Sequence, residues 1–169
     1  MPFLPLPEDS ELSADATAAA DREALLHGTL RDNLSRTLLS HVPSYAAYAQ
    51  WRVLWDELVP YIGERAVTLF AFAITDGAGE SAPAAALRKI VVDSGDDPDE
   101  PQVTDTEKLL LEWGQKIGSD PRAIDDEFRG RLERAFQPKL RILLVSFAGL
   151  TVARTTFAIV ADIPLDPAD

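Results

Sequence analysis

Residues 140–160 read Leu140-Arg141-Ile142-Leu143-Leu144-Val145-Ser146-Phe147-Ala148-Gly149-Leu150-Thr151-Val152-Ala153-Arg154-Thr155-Thr156-Phe157-Ala158-Ile159-Val160. The period chosen for this stretch decides the fold. Residues 140–147 and 151–160 are both rich in β-branched side chains, a composition that strands also favour. Leu140, Leu143, Leu144, Phe147 and Leu150 nevertheless recur every three or four residues, which places them along one side of a helix. Ala148-Gly149 lacks the chemistry of a tight hairpin turn. One long helix is therefore predicted over Lys139–Val160, opened by Pro138, and with it an all-α chain. Its near-apolar stretch, Ile142 to Ala153 between Arg141 and Arg154, is shorter than the about 20 residues a bilayer requires and reads as a buried core helix.

Upstream, Asp125 to Phe136 forms a charged amphipathic helix. Its acids lie early and Arg131 and Arg134 lie late, as the helix dipole favours. Thr104 and Glu107 stand at capping-box spacing before Leu110, Leu111, Trp113 and Ile117, and Gly118 to Pro121 ends that helix. Asp93 to Pro101 reads as an acidic loop and Ser81 to Val92 as a helix. Glu64 to Thr75 is apolar and helical, followed by the breaker Asp76-Gly77-Ala78-Gly79. A helix from Pro43 through Leu58 presents Tyr45, Tyr48, Trp51, Val53 and Trp55 and stops at Pro60. Asp32 to Ser40 offers a short apolar face, and Ser13 caps a helix to about Leu30. Residues 1–12, with three prolines among the first seven, form an extended arm, lying on a neighbouring subunit or frayed; residues 13–169 form a single helical domain.

The chain has 169 residues, 46% hydrophobic, which is globular composition and enough for a full core. Its formal charge is −12, from 28 acidic and 16 basic residues. Such a surface repels phosphate backbones and anionic membranes, so neither nucleic acid nor membrane is an expected partner. The first residues lack the basic region and long apolar core of a signal peptide, so a cytoplasmic location is expected. No cysteine is present, which excludes thiol redox chemistry and thiolate metal ligands.

No phosphate-binding or dinucleotide-binding glycine motif occurs; Gly77-Ala78-Gly79 lacks the third glycine, and no cofactor is expected. His27 and His41 read as helix-end histidines without a nearby carboxylate pair, a poor metal signature. His41 is the better functional candidate, because helix junctions often line pockets. Glu64, Asp76 and Glu80 flank an apolar segment, where a carboxylate can act as acid or base; the alternative is capping. The aromatic series Tyr45, Tyr48, Trp51 and Trp55 reads as core or subunit interface.

Several segments in order resemble the carboxymuconolactone decarboxylase and alkylhydroperoxidase D-like superfamily, including its peroxidase-related members. They are Ser40-His41-Val42-Pro43-Ser44-Tyr45 before Trp51 and Leu54; Glu64-Arg65-Ala66-Val67; Ile74 through Glu80; Thr104 through Trp113; and Phe147 to the closing Ile163-Pro164-Leu165-Asp166-Pro167. Together they cover residues from about 30 to 167. The resemblance implies an alkylhydroperoxidase D-like helical bundle that assembles as a homodimer, trimer or hexamer. It also locates the family's two-cysteine and histidine motif at the turn after Ile74, with Gly79 as the motif glycine. Glu80 and Pro83 then stand at the cysteine positions and Leu87 at the histidine position, while the family glutamate falls at Arg65 or Glu64. The site is degenerate, and peroxide turnover through a thiolate is impossible.

Three functions remain open. The first is a small-molecule-binding or regulatory relative without thiol chemistry, with a candidate pocket of Asp76, Glu80, Pro83, Leu87 and Arg88. The second is a cysteine-independent lyase of the decarboxylase type, with Glu80, Glu64 or His41 moving the proton and Arg88 or Lys89 holding an acidic substrate. The third is a structural or partner-binding oligomer.

Overall fold

The structure is a computed structural model and describes residues 3–28, 32–79, 92–93, 95 and 102–164. Its seven described helices are α1 (Ala14–His27), α2 (Asn33–Leu38), α3 (Val42–Ile62), α4 (Glu64–Gly77), α5 (Asp105–Ser119), α6 (Asp126–Ala135) and α7 (Pro138–Val160). No strand occurs among the described residues, so the all-α expectation holds. Residues 140–160 lie within one helix.

Side-chain caps set most helix starts. The Ser13 hydroxyl accepts from the Ala16 amide, Asp32 from Ser35 and Asp125 from Phe128. At α5 the Thr104 hydroxyl accepts from the Glu107 amide at 3.1 Å while the Glu107 carboxylate accepts from the Thr104 amide at 2.8 Å. Three ends differ from the sequence reading. α1 stops at His27 rather than near Leu30, because Gly28 takes the left-handed conformation that closes a helix. α3 runs through Pro60 to Ile62: a proline in the last turn removes only one amide from the ladder, and Gly63, at φ +84, makes the break. α4 continues two residues past Thr75 to Gly77. Of the helix expected over 81–92 only Val92 is described, and it is helical; of the loop expected over 93–101 only Asp93, also helical, and Gly95 are described.

α4 and α5 form the most extensive helix pair, and α3 packs along α7. Leu58, Val67, Phe70, Ile74, Leu110, Leu144 and Phe147 are wholly buried where α3, α4, α5 and α7 meet. A second cluster of Ala16, Ala20, Leu38, Leu39 and Tyr45, backed by Leu12 and Phe157, fixes α1 and α2 against α3 and α7. The described part of the N-terminal arm is tied to its own chain. Arg36 donates to the Pro7 carbonyl and the Glu8 carboxylate, and Asp9–Glu11 form a 3-10 turn. At the other end Asn33 donates to the Pro164 carbonyl, so α2 anchors both terminal segments.

α7 departs from the core-helix expectation. At 23 residues it is long and apolar enough to cross a membrane by length and composition, yet only 33% of its most apolar window is buried. Ile142, Val145, Ile159 and Val160 are exposed.

Candidate functional site

α3 carries its aromatic residues on the face that meets α7. Trp51 stacks on Phe147 and donates from its indole nitrogen to the Thr151 hydroxyl at 2.9 Å, and Thr151 in turn donates to the Phe147 carbonyl. Trp55 completes the packing against Trp51 and Phe147, as the core reading expected. One turn beyond Thr151, Arg154 lays its guanidinium over the Trp51 ring, 4.9 Å from the centroid.

Arg154 is the one charged residue in the stretch of α7 from Ile142 to Val160. Only 20% of its side chain is exposed, and burial pushes its pKa below the ordinary arginine value, opposed by Asp32, Tyr45 and Tyr48. Arginine still keeps its charge under such a shift, so the group is a poorly solvated cation. Its contact with Asp32 Oδ2 spans 3.5 Å, against about 2.7–2.9 Å for a charge-assisted hydrogen bond. Asp32 is held back by its second task, since Oδ1 accepts from the Ser35 amide at 2.7 Å to cap α2.

Beside this cation lies a cavity of about 90 Å³. α1 contributes Glu23, the α2 end contributes Asp32 and Ser35, α3 contributes Tyr45, Tyr48, Trp51 and Arg52, and α7 contributes Arg154. The Arg52 guanidinium lies 5.5 Å from the Trp55 centroid and its Nε is 3.2 Å from Asp56 Oδ1. A small, partly closed space with an incompletely neutralised guanidinium over a tryptophan suits a small anion: carboxylate oxygens match the guanidinium fork, and the aromatic wall excludes water. Two further hollows beside α7 are wider and mostly apolar. One, of about 330 Å³, is lined by Trp113, Ile124, Leu132 and Val145; the other, of about 420 Å³, by Pro138, Ile142 and Val145.

The residues singled out from sequence lie elsewhere. His41 is the residue before α3, exposed, with Nδ1 2.7 Å from the Ser44 hydroxyl. Glu64 opens α4 and Asp76 sits in its last turn, both exposed. α3 separates His41 from Glu64 by roughly 30 Å and α4 separates Glu64 from Asp76 by roughly 18 Å, at 1.5 Å per residue. These three therefore do not converge. Glu80, Pro83, Leu87, Arg88 and Lys89 lie outside the described residues. The reading of His27 needs correction: it does have carboxylates beside it, Asp56 Oδ2 at 2.5 Å and Glu23 Oε2 at 3.7 Å. α1 leans on α3, and that packing brings residues 29 positions apart into contact. Among the described residues no group of three or more His, Asp or Glu is placed to hold a metal ion.

Arg154 was legible only as the end of an apolar run. The signal available was a lone charge within a stretch otherwise uncharged from Ile142 to Val160. Such a charge must find a partner or a ligand when the helix is buried. Comparison of the chain with family models, curated proteins and solved structures finds no match.

Proposed function

We propose that this chain is a small-molecule-binding helical protein whose pocket at Arg154 takes a small organic anion. We propose further that it is a relative of the alkylhydroperoxidase D-like proteins without their thiol chemistry, and that it self-associates. The observation that carries the binding reading is the Arg154 guanidinium, buried over Trp51, loosely paired with Asp32 and bordering a cavity. The family reading rests on the order of the sequence segments and on the helical architecture. Self-association is supported by the exposed apolar side chains of α7. For the lyase reading, Glu80 lies outside the described residues, and its alternatives Glu64 and His41 are both exposed.

Trp51 supplies the assay. Titrating short carboxylates from acetate upward should change tryptophan fluorescence saturably. Arg154→Gln should weaken binding about 10- to 100-fold, the range expected for a hydrogen bond to a charged group, while leaving helical circular dichroism intact. A response that never saturates, or equal affinity in Arg154→Gln, would overturn the assignment.

A further inference from the structure

We infer that anion binding at Arg154 is gated by the protonation of His27; the inference rests on the binding reading above. His27 lies in the last turn of α1, with only 14% of its side chain exposed. Two carboxylates face it, Glu23 from its own helix and Asp56 from α3, and behind Asp56 stands Arg52. Glu23 and Arg52 are also walls of the cavity that Arg154 and Asp32 complete. The histidine therefore shares both of its acidic neighbours' fields with the anion site.

Charge counting gives the sign. With His27 protonated, His27 and Arg52 balance Glu23 and Asp56, and Arg154 balances Asp32. Among the described residues these charges then sum to zero, and Asp56 divides its two oxygens between two cations. When His27 loses its proton the same group carries one net negative charge. Among the described residues Asp56 then keeps Arg52 as its cationic partner, and Glu23 faces the cavity without a protonated His27 beside it. An incoming anion meets repulsion it did not meet before, inside a partly closed space where charges are weakly screened. Affinity is therefore highest with His27 protonated and falls when it loses its proton. Linkage makes the effect reciprocal, because a bound anion must strengthen proton binding at His27 by the same factor. A factor of about ten, within the usual range of coupling between sites, corresponds to about one pH unit in the titration midpoint.

Acetate is the probe, read between about pH 6 and 8, where a carboxylate of that kind stays ionised while a histidine can change charge. Wild-type affinity should fall about tenfold across that interval. His27→Gln should flatten the profile, and His41→Gln should leave it unchanged, because His41 bonds Ser44 and is not among the residues lining the cavity. In the wild type, saturating acetate should perturb the His27 imidazole NMR resonances and leave those of His41 unchanged. A flat wild-type profile, or an unaltered slope in His27→Gln, would overturn the gate while leaving the binding site standing. Absence of acetate binding at every pH would instead remove the site itself, and the gate with it.

Discussion

Gly118 has no room for a side chain. An added Cβ would stand 2.1 Å from the Ile74 carbonyl oxygen and 2.8 Å from the Ala78 amide nitrogen. One turn earlier, Gly114 is pressed against Ala73 in the same way, with its added Cβ only 2.7 Å from that residue's Cβ. The two glycines, four apart on α5, let the backbones of α4 and α5 approach where larger residues would hold them off. Gly118 read from sequence as a helix stop, yet it lies inside α5 and acts as a contact surface. Backbone atoms cannot swing aside, so Gly118→Ala should destabilise by about 3 kcal/mol, the upper end for overpacking, lowering the melting temperature by roughly 6–12 °C for a chain of this size. An unchanged melting temperature would mean that α4 and α5 are not in backbone contact. Arg154 calls for the opposite result. Replacing both members of a buried ion pair by apolar residues is often neutral, whereas removing one member of a tight pair costs about 3–5 kcal/mol because the other charge is left buried. The Asp32 contact is long, and Asp32, 39% exposed, keeps its capping bond without Arg154. Arg154→Met should therefore shift stability by less than about 1 kcal/mol in thermal unfolding while abolishing carboxylate binding. A loss of several kcal/mol would make Arg154 a structural residue.

At the scale of the element, helix starts were legible because they are chemical events within four residues: Ser13, Thr104, Asp125 and Pro138 each occupy the position their side chains suit. Helix ends were less so. Proline at position 60 signals a stop only when the ladder has further to run, and the left-handed Gly28 ends α1 before the apolar pattern does. The α5 start carries more than local capping. Glu107 accepts from the Thr104 amide, reaches Arg65 of α4 at 3.2 Å, and is only 7% exposed. Thr104→Ala removes one cap and should cost about 1 kcal/mol. Glu107→Ala removes the other half of the box and leaves Arg65 without that carboxylate, so it should cost about 2 kcal/mol. The double variant should fall short of the sum, since the two side chains form one network. Chemical denaturation of the three variants measures this, and strict additivity would count against a shared network.

At the scale of the whole molecule, the all-helical class was legible and the candidate site was not. Fold class follows from periodicity along one stretch, whereas the Arg154 pocket draws on α1, α2, α3 and α7, from Glu23 to Arg154, and no spacing rule connects those positions. The same long-range packing gave His27 its second carboxylate, Asp56 of α3. What the helices leave uncovered is informative too. α7 is apolar around its circumference, a pattern that belongs to helices surrounded on every side, yet Ile142 and Val145 near its start and Ile159 and Val160 at its end remain exposed. A helix of 23 residues is roughly 34 Å long and about 10 Å wide. On a face of about 340 Å² the exposed apolar side chains stand at the two ends, with the uncharged Ser146, Gly149 and Thr156 exposed between them. The chain carries −12, so two copies approaching at random repel one another, but from Ile142 to Val160 no acid interrupts α7. Self-association through this face therefore brings together the part of the surface with least opposing charge. Light scattering coupled to gel filtration should give a mass that rises above 18.5 kDa with concentration. Val145→Glu, which adds a like charge to the exposed face and touches no buried residue's identity, should return the chain to monomer without lowering its melting temperature by more than a few degrees. A wild-type chain that stays monomeric throughout, or a Val145→Glu chain that assembles equally well, would show that α7 is not the contact face.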